Sequence, residues 1–177
     1  MIVGRNHVNQ KKAHFLNAPA RGVFYKENME FHRLSSAFYK EYSHCQEILT
    51  KDDRPYYVLL LKLENNIYAI PLRSHISHPY SFIADTSTDQ NSGLDFSKAV
   101  VIIDQTKYIE PVPVTIRQSE YNFFKQREHL IKKQFSSYVA LYKKEVLRRI
   151  KNPKLPVSAL CQYSSLKYFH QEMDLCN

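Results

Sequence analysis

Residues 56–72, "YYVLLLKLENNIYAIPL", decide how this chain folds. Seven of the eight residues 56–63 are apolar or aromatic, too dense a run for a surface segment. Glu64-Asn65-Asn66 then interrupts it, and residues 67–72 return to an apolar pattern. Asparagine tolerates the positive φ that tight hairpin turns require, so the stretch reads as two antiparallel strands. Strands so rich in Leu and Val are expected to be covered on both faces.

Outward from the hairpin, residues 31–34 read as a short strand, and Ser35 or Ser36 supplies a hydroxyl to cap a helix. Phe38, Tyr42, Cys45 and Leu49 follow at helical spacing. "KDDRP" at 51–55 breaks the chain. On the other side lies a polar loop at 85–93, then strands expected at 99–104 and about 107–114. Pro111 and Pro113 mark a strand end or sheet edge there. Ser119 is placed to cap a long helix over 120–151, which Asn152-Pro153 ends. Its apolar stripe is Phe124, Ile131, Phe135, Tyr138, Tyr142, Val146 and Ile150. A turn and a short helix from near Ser164 complete the chain. The expected class is α+β: a small, strongly bent antiparallel sheet with flanking helices, one of them long and basic. Residues 1–28 show no sustained period and read as an extension, with residues 29–177 forming one domain and Met29 an alternative start.

The formal net charge is +8 over 177 residues. It is unevenly spread: residues 121–154 hold ten basic and two acidic side chains. A concentrated basic segment favours polyanions such as nucleic acid or an anionic membrane surface, although a solvated lysine-rich helix face has the same composition. Three cysteines without a CxxC pair provide neither a disulfide framework nor a zinc cage. No run of about 18 apolar residues is present. A cytoplasmic protein with reduced thiols is the expectation.

The hairpin's far end carries the chemistry. "AIPLRSHISH" at 69–78 leaves a buried strand with Arg73, Ser74, His75 and His78 in quick succession. Metal-free RNA cleavage needs a proton acceptor for the ribose 2′-hydroxyl, a cation for the phosphorane and a proton for the departing 5′-oxygen. Arginine, histidine and serine supply groups of these kinds. Arg54, at the entry of the first strand, is expected to approach Arg73–His75 across the hairpin. His78 precedes Pro79 and reads as a point where the loop already turns away. A zinc site at His75 and His78 lacks further ligands at a usual spacing, and Ser74 as an acyl-transfer nucleophile lacks the G-x-S-x-G elbow.

From Met29 onward the chain resembles the endoribonuclease toxins of type III toxin–antitoxin systems, the ToxN/AbiQ group, most closely its TenpN-type branch. "MEFHRLSSAFYKEY", "RPYYVLLLKLENNIYAIPLRSH", "GLDFSKAVVI" and "LCQYSSLKYF" carry the likeness, in consistent order over about 140 of the 177 residues. The resemblance implies a barrel-like sheet of MazF/Kid type. It also implies cleavage without metal or cofactor, leaving a 2′,3′-cyclic phosphate and a 5′-hydroxyl. The implied partners are a repetitive, pseudoknotted antitoxin RNA that holds the toxin inactive, often in a closed protein–RNA ring, and cellular or phage RNA as substrate. The implied setting is phage defence by abortive infection, or plasmid maintenance.

Carried over by position, Ser74 matches the family's loop serine, Arg54 a basic residue before the long strand and Tyr39 a tyrosine of the first helix. The family's lysine two residues after the serine is Ile76 here, so Arg73 and His75 are expected to take its charge-stabilising and proton-transfer roles. Lys132, Lys133, Lys143, Lys144, Arg148 and Arg149 are the expected RNA-binding residues. Two other readings use the same residues: a non-catalytic RNA-binding module, and a MazF-like toxin neutralised by a protein.

Overall fold

The computed structural model describes residues 29–48, 56–85 and 91–176. The expectations for residues 1–28, Leu49 and Arg54 lie outside these residues. Six antiparallel strands form one sheet: β1 (Phe31–Arg33), β2 (Tyr57–Leu63), β3 (Asn66–Arg73), β4 (Ser81–Asp85), β5 (Ser92–Asp95) and β6 (Val100–Val101). The path runs β1-β2-β3-β5-β4, with β6 also paired to β3. Five α-helices among the described residues accompany it: α1 (Ser36–Glu41), α2 (Gln105–Tyr108), α3 (Gln118–Gln126), α4 (Glu128–Lys151) and α5 (Ala159–Tyr163). The class is α+β. The described strands do not close into a barrel, because β1 and β4 remain as edges.

The β2–β3 hairpin forms as its sequence reads, from Leu63↔Asn66 to Val58↔Pro71. The positive φ of its turn falls on Glu64, at 55°, and not on an asparagine. Asn66 joins the strand and donates its side-chain amide to the Glu172 carbonyl at 2.8 Å. Tyr68, Ala69, Ile70 and Pro71 are all buried, so the middle of β3 is covered on both faces.

Pro71 shows how a proline fits a central strand. The Ile67 carbonyl accepts from Ile102, so the odd-numbered backbone groups of β3 point away from β2. On that side β6 pairs with Tyr68 and Ala69, and β5 begins only at Leu72. The missing N–H of Pro71 therefore faces the gap where β3 changes partners, and no ladder bond is lost.

Several expected boundaries move. Ser35 caps α1 as read, accepting from the Phe38 amide, but the helix stops at Glu41 and turns carry the chain on to Ile48. The expected loop at 85–93 is flanked by β4 and by β5, which starts at Ser92. The strand expected at 99–104 shortens to β6. The strand expected at 107–114 is instead α2 followed by extended chain, touching the sheet through single bridges, Leu34↔Ile109 and Phe31↔Val114. The long helix is two helices, and α3 begins at Gln118 without the expected Ser119 cap. No proline or glycine causes the break at Arg127. Phe124 packs on Phe31 of β1 and Phe123 on Phe82 of β4, while the Arg127 guanidinium lies 4.1 Å from the Phe123 ring centre. The apolar stripe is buried as read except for Ile150, with Val139 added to it.

Phe135 of α4 packs edge-on against Tyr68 and Phe96, fixing the helix on the sheet. The C-terminal segment locks onto the chain between β5 and β6. Buried Ser165 donates to the carbonyls of Ser97 and Ala99, and Ser164 bonds the Tyr138 hydroxyl of α4 at 2.7 Å. The short helix expected from Ser164 is a single 3₁₀ turn, Ser165–Tyr168, that Ser164 caps, and α5 precedes it.

Candidate active site

The corner after β3 is organised by a residue the sequence reading did not single out. Asp95 ends β5 and is fully buried. Its carboxylate binds the Arg73 guanidinium through Oδ2. Oδ1 accepts from the Ser97 amide at 3.0 Å and the Ser97 hydroxyl at 2.7 Å, and lies 3.3 Å from His78 Nε2. The same His78 nitrogen is 3.3 Å from Ser97 Oγ. A buried carboxylate is tolerable only with this kind of saturation, since an unpaired charge out of water costs several kcal/mol (roughly).

Gly93 makes the arrangement possible. It pairs with Arg73 on one side and Ile83 on the other. A Cβ there would stand 2.2 Å from the Phe82 carbonyl oxygen, so only glycine lets β4 and β5 close and bring Asp95 under Arg73.

Ser74 and His75 follow Arg73 on the exposed side. His75 adopts φ 60°, in the left-handed region that histidine enters more readily than most residues. Its Nδ1 lies 3.1 Å from Ser74 Oγ. The chain then dives inward. Ile76 is buried and donates its amide to the Asn91 carbonyl at 3.3 Å, tying the loop to the start of β5. Ile76 is therefore a packing position. His78 does not turn away: it reaches Asp95 and Ser97, and Ser81 Oγ donates to its carbonyl at 3.3 Å. His78 Nδ1 is buried with no hydrogen-bond partner among the described residues.

Tyr39 sits elsewhere. Tyr39 packs its ring edge-on to Phe38 and borders a small cavity that Ala69, Pro71 and Val58 also line. Ala69 and Pro71 share one face of β3, and Arg73 follows two residues on, about 7 Å further along the strand. The cavity lining does not include Arg73, Ser74 or His75. Arg54 is outside the described residues.

The site's chemistry follows. Anchored by one nitrogen on Asp95, Arg73 keeps further N–H donors for an anion, with a quarter of its side chain (26%) open to solvent. Ser74 and His75 follow it directly in the chain, exposed, with their side chains 3.1 Å apart. The sequence signal for the hidden half was a lone acid between Leu94 and Phe96. An aspartate inside an apolar strand needs a cation, and a serine two residues later forms a local turn with its side chain.

The basic residues of α4 do not form one face. At about 100° per residue, Lys133, Lys144, Arg148 and Lys151 share the outward side within an arc of about 60°. Lys132 and Lys143 lie on a flank, paired with Glu128 at 2.8 Å and Glu64 at 2.7 Å. Arg148 also meets Glu145 at 3.0 Å. Arg149 turns to the buried side, where it lines a cleft at the end of the helix. No protein-family model, curated protein or solved structure matches this chain.

Proposed function

We propose that the protein is a metal-independent endoribonuclease and that Arg73, Ser74 and His75 form its working surface. The observation that carries this reading is an arginine fixed on a buried carboxylate and followed directly in the chain by an exposed, hydrogen-bonded serine–histidine pair at a strand end. In the proposed reaction the neutral imidazole of His75 takes the proton of the ribose 2′-hydroxyl. The 2′-oxygen attacks the phosphorus, and Arg73 and the Ser74 hydroxyl take up the charge on the non-bridging oxygens. The bond to the 5′-oxygen breaks, that oxygen takes a proton from solvent, and a 2′,3′-cyclic phosphate and a 5′-hydroxyl remain. Asp95 and His78 act behind this surface as positioning residues, and Tyr39 and Arg54 complete the set implied by the resemblance.

On the same reading the chain is the toxin of a type III toxin–antitoxin system, with a MazF/Kid-like sheet left open at its edges. The change of partner along β3, from β6 at Tyr68 and Ala69 to β5 at Leu72 and Arg73, is what such a sheet would need. The outward lysines and arginines of α4 meet the phosphates of a repetitive antitoxin RNA, and cellular or phage transcripts are the substrate. Expression without the RNA tests the proposal. Ser74→Ala and His75→Ala each restore growth, and RNA cut by the unmodified protein carries cyclic-phosphate and 5′-hydroxyl ends. Full toxicity from both variants removes the loop from the reaction and leaves an RNA-binding module, whose effects follow the α4 charges alone.

A further inference from the structure

A second site lies away from Ser74, at the end of α4. Val146 and Ile150, Pro153 and Val157, and Leu175 and Cys176 line an open cleft of about 810 Å³. That volume is in the range of small-molecule sites. Its walls are mainly aliphatic, but the polar groups at them are specific.

Arg149 borders the cleft, and its Nε is buried without a hydrogen-bond partner among the described residues. An unpaired guanidinium donor shut away from water is costly, and a small shift of the Arg149 side chain towards an anion in the cleft would satisfy it. Lys167 adds a second cation, held at 2.9 Å from the Gln162 carbonyl and 3.4 Å from Glu47. The Gln162 side chain and His170 offer hydrogen-bonding edges. The Tyr142 hydroxyl bonds His170 Nε2 at 2.8 Å and fixes the ring. Burial lowers the His170 pKa, so the imidazole is neutral at pH 7 and can both donate and accept.

A ligand for these walls has an anion at one end and a flat, apolar body with a polar edge at the other. An acyl chain would leave Gln162 and His170 unmatched, and inorganic phosphate would leave the aliphatic walls empty. We propose that this cleft binds a single unpaired nucleotide, its base between the aliphatic walls and its phosphate on Arg149. The net charge of +8 and the basic last turn of α4 draw such a ligand in. The site stands apart from Ser74 and does not depend on whether that loop cuts RNA.

The test is titration of the full chain with AMP, GMP, CMP and UMP, followed by NMR or calorimetry. At least one binds saturably. Arg149→Gln weakens it at least tenfold, and Val157→Trp, a change at the half-exposed rim, blocks the cleft and abolishes binding. Urea midpoints for both variants establish that they fold. Ser74→Ala retains the binding, which separates this site from the cleavage loop. The proposal is overturned if no mononucleotide binds, if Ser74→Ala removes the binding, or if both cleft variants fold and bind normally. Binding of laurate, or self-association of the chain, in place of nucleotide binding overturns it as well.

Discussion

Replacing Asp95 by asparagine tests the core of the site. The change keeps the shape and one oxygen. If that oxygen stays with Ser97, whose amide and hydroxyl donate at 3.0 and 2.7 Å, the new amide nitrogen faces the Arg73 guanidinium, donor against donor. A charge-assisted hydrogen bond contributes about 1.5–3 kcal/mol, and removing one partner of a fully buried pair costs about 3–5 kcal/mol. Arg73 still reaches solvent through 26% of its side chain, which softens the loss. The expected cost of Asp95→Asn is therefore about 2–3 kcal/mol, or a fall of about 1–1.5 M in the urea midpoint. Arg73→Met leaves the fully buried carboxylate without its guanidinium, held by Ser97 and His78 alone, and costs about 3–5 kcal/mol. Both variants and their combination are to be measured in a Ser74→Ala background, so that the protein can be expressed whatever its toxicity. Once either charge is gone, removing the second costs little, so the cycle has a coupling of about 2 kcal/mol. Additivity within about 0.5 kcal/mol would mean that the pair is no energetic unit, and the anchoring of Arg73 would have to be abandoned.

Gly93→Ala drives a methyl group into the Phe82 carbonyl and should lower stability by about 3 kcal/mol, with loss of amide protection in β4 and β5 by hydrogen exchange. Ser164→Ala strands the buried Tyr138 hydroxyl and removes the cap of Leu166, a loss of about 1–3 kcal/mol that Tyr138→Phe should partly restore. The pH dependence has a definite sign. Burial raises the Tyr68 hydroxyl to about 12 in the folded chain, against an ordinary value of 10.0. The native state therefore holds its proton where the unfolded chain has lost it. Stability from this group is complete below about pH 10 and is lost as pH rises from there towards 12. Urea midpoints between pH 8 and 11.5 should fall in that window, and Tyr68→Phe should flatten the fall in part, because burial also raises the hydroxyls of Tyr42, Tyr138 and Tyr142. An unchanged slope in Tyr68→Phe would contradict the burial argument.

Much of the framework is legible in the sequence because it depends on near neighbours. The apolar run of 56–72 has only one economical arrangement, a hairpin, and a hairpin forms. Ser35 caps its helix through a residue three positions away, and the stripe from Phe124 to Val146 repeats at the helical period and is buried. Those signals lie within a window of a few residues, where backbone geometry alone fixes which side chains meet. The exposed half of the corner, Arg73, Ser74 and His75, was readable for the same reason.

What only the tertiary structure decided are contacts between residues far apart in the chain. Asp95 stands 22 residues from Arg73, and no local pattern says that the two share a charge. The pairing follows from Gly93 letting two strands close, and a buried carboxylate then selects whatever cation and donors the sheet brings within reach. His78 changed from bystander to partner in that way. Arg127 breaks a continuous helical pattern where Phe123 and Phe124 seat on different strands. Local sequence sets which elements form. Desolvation of charge and the fit of side chains between elements set where the chemistry gathers.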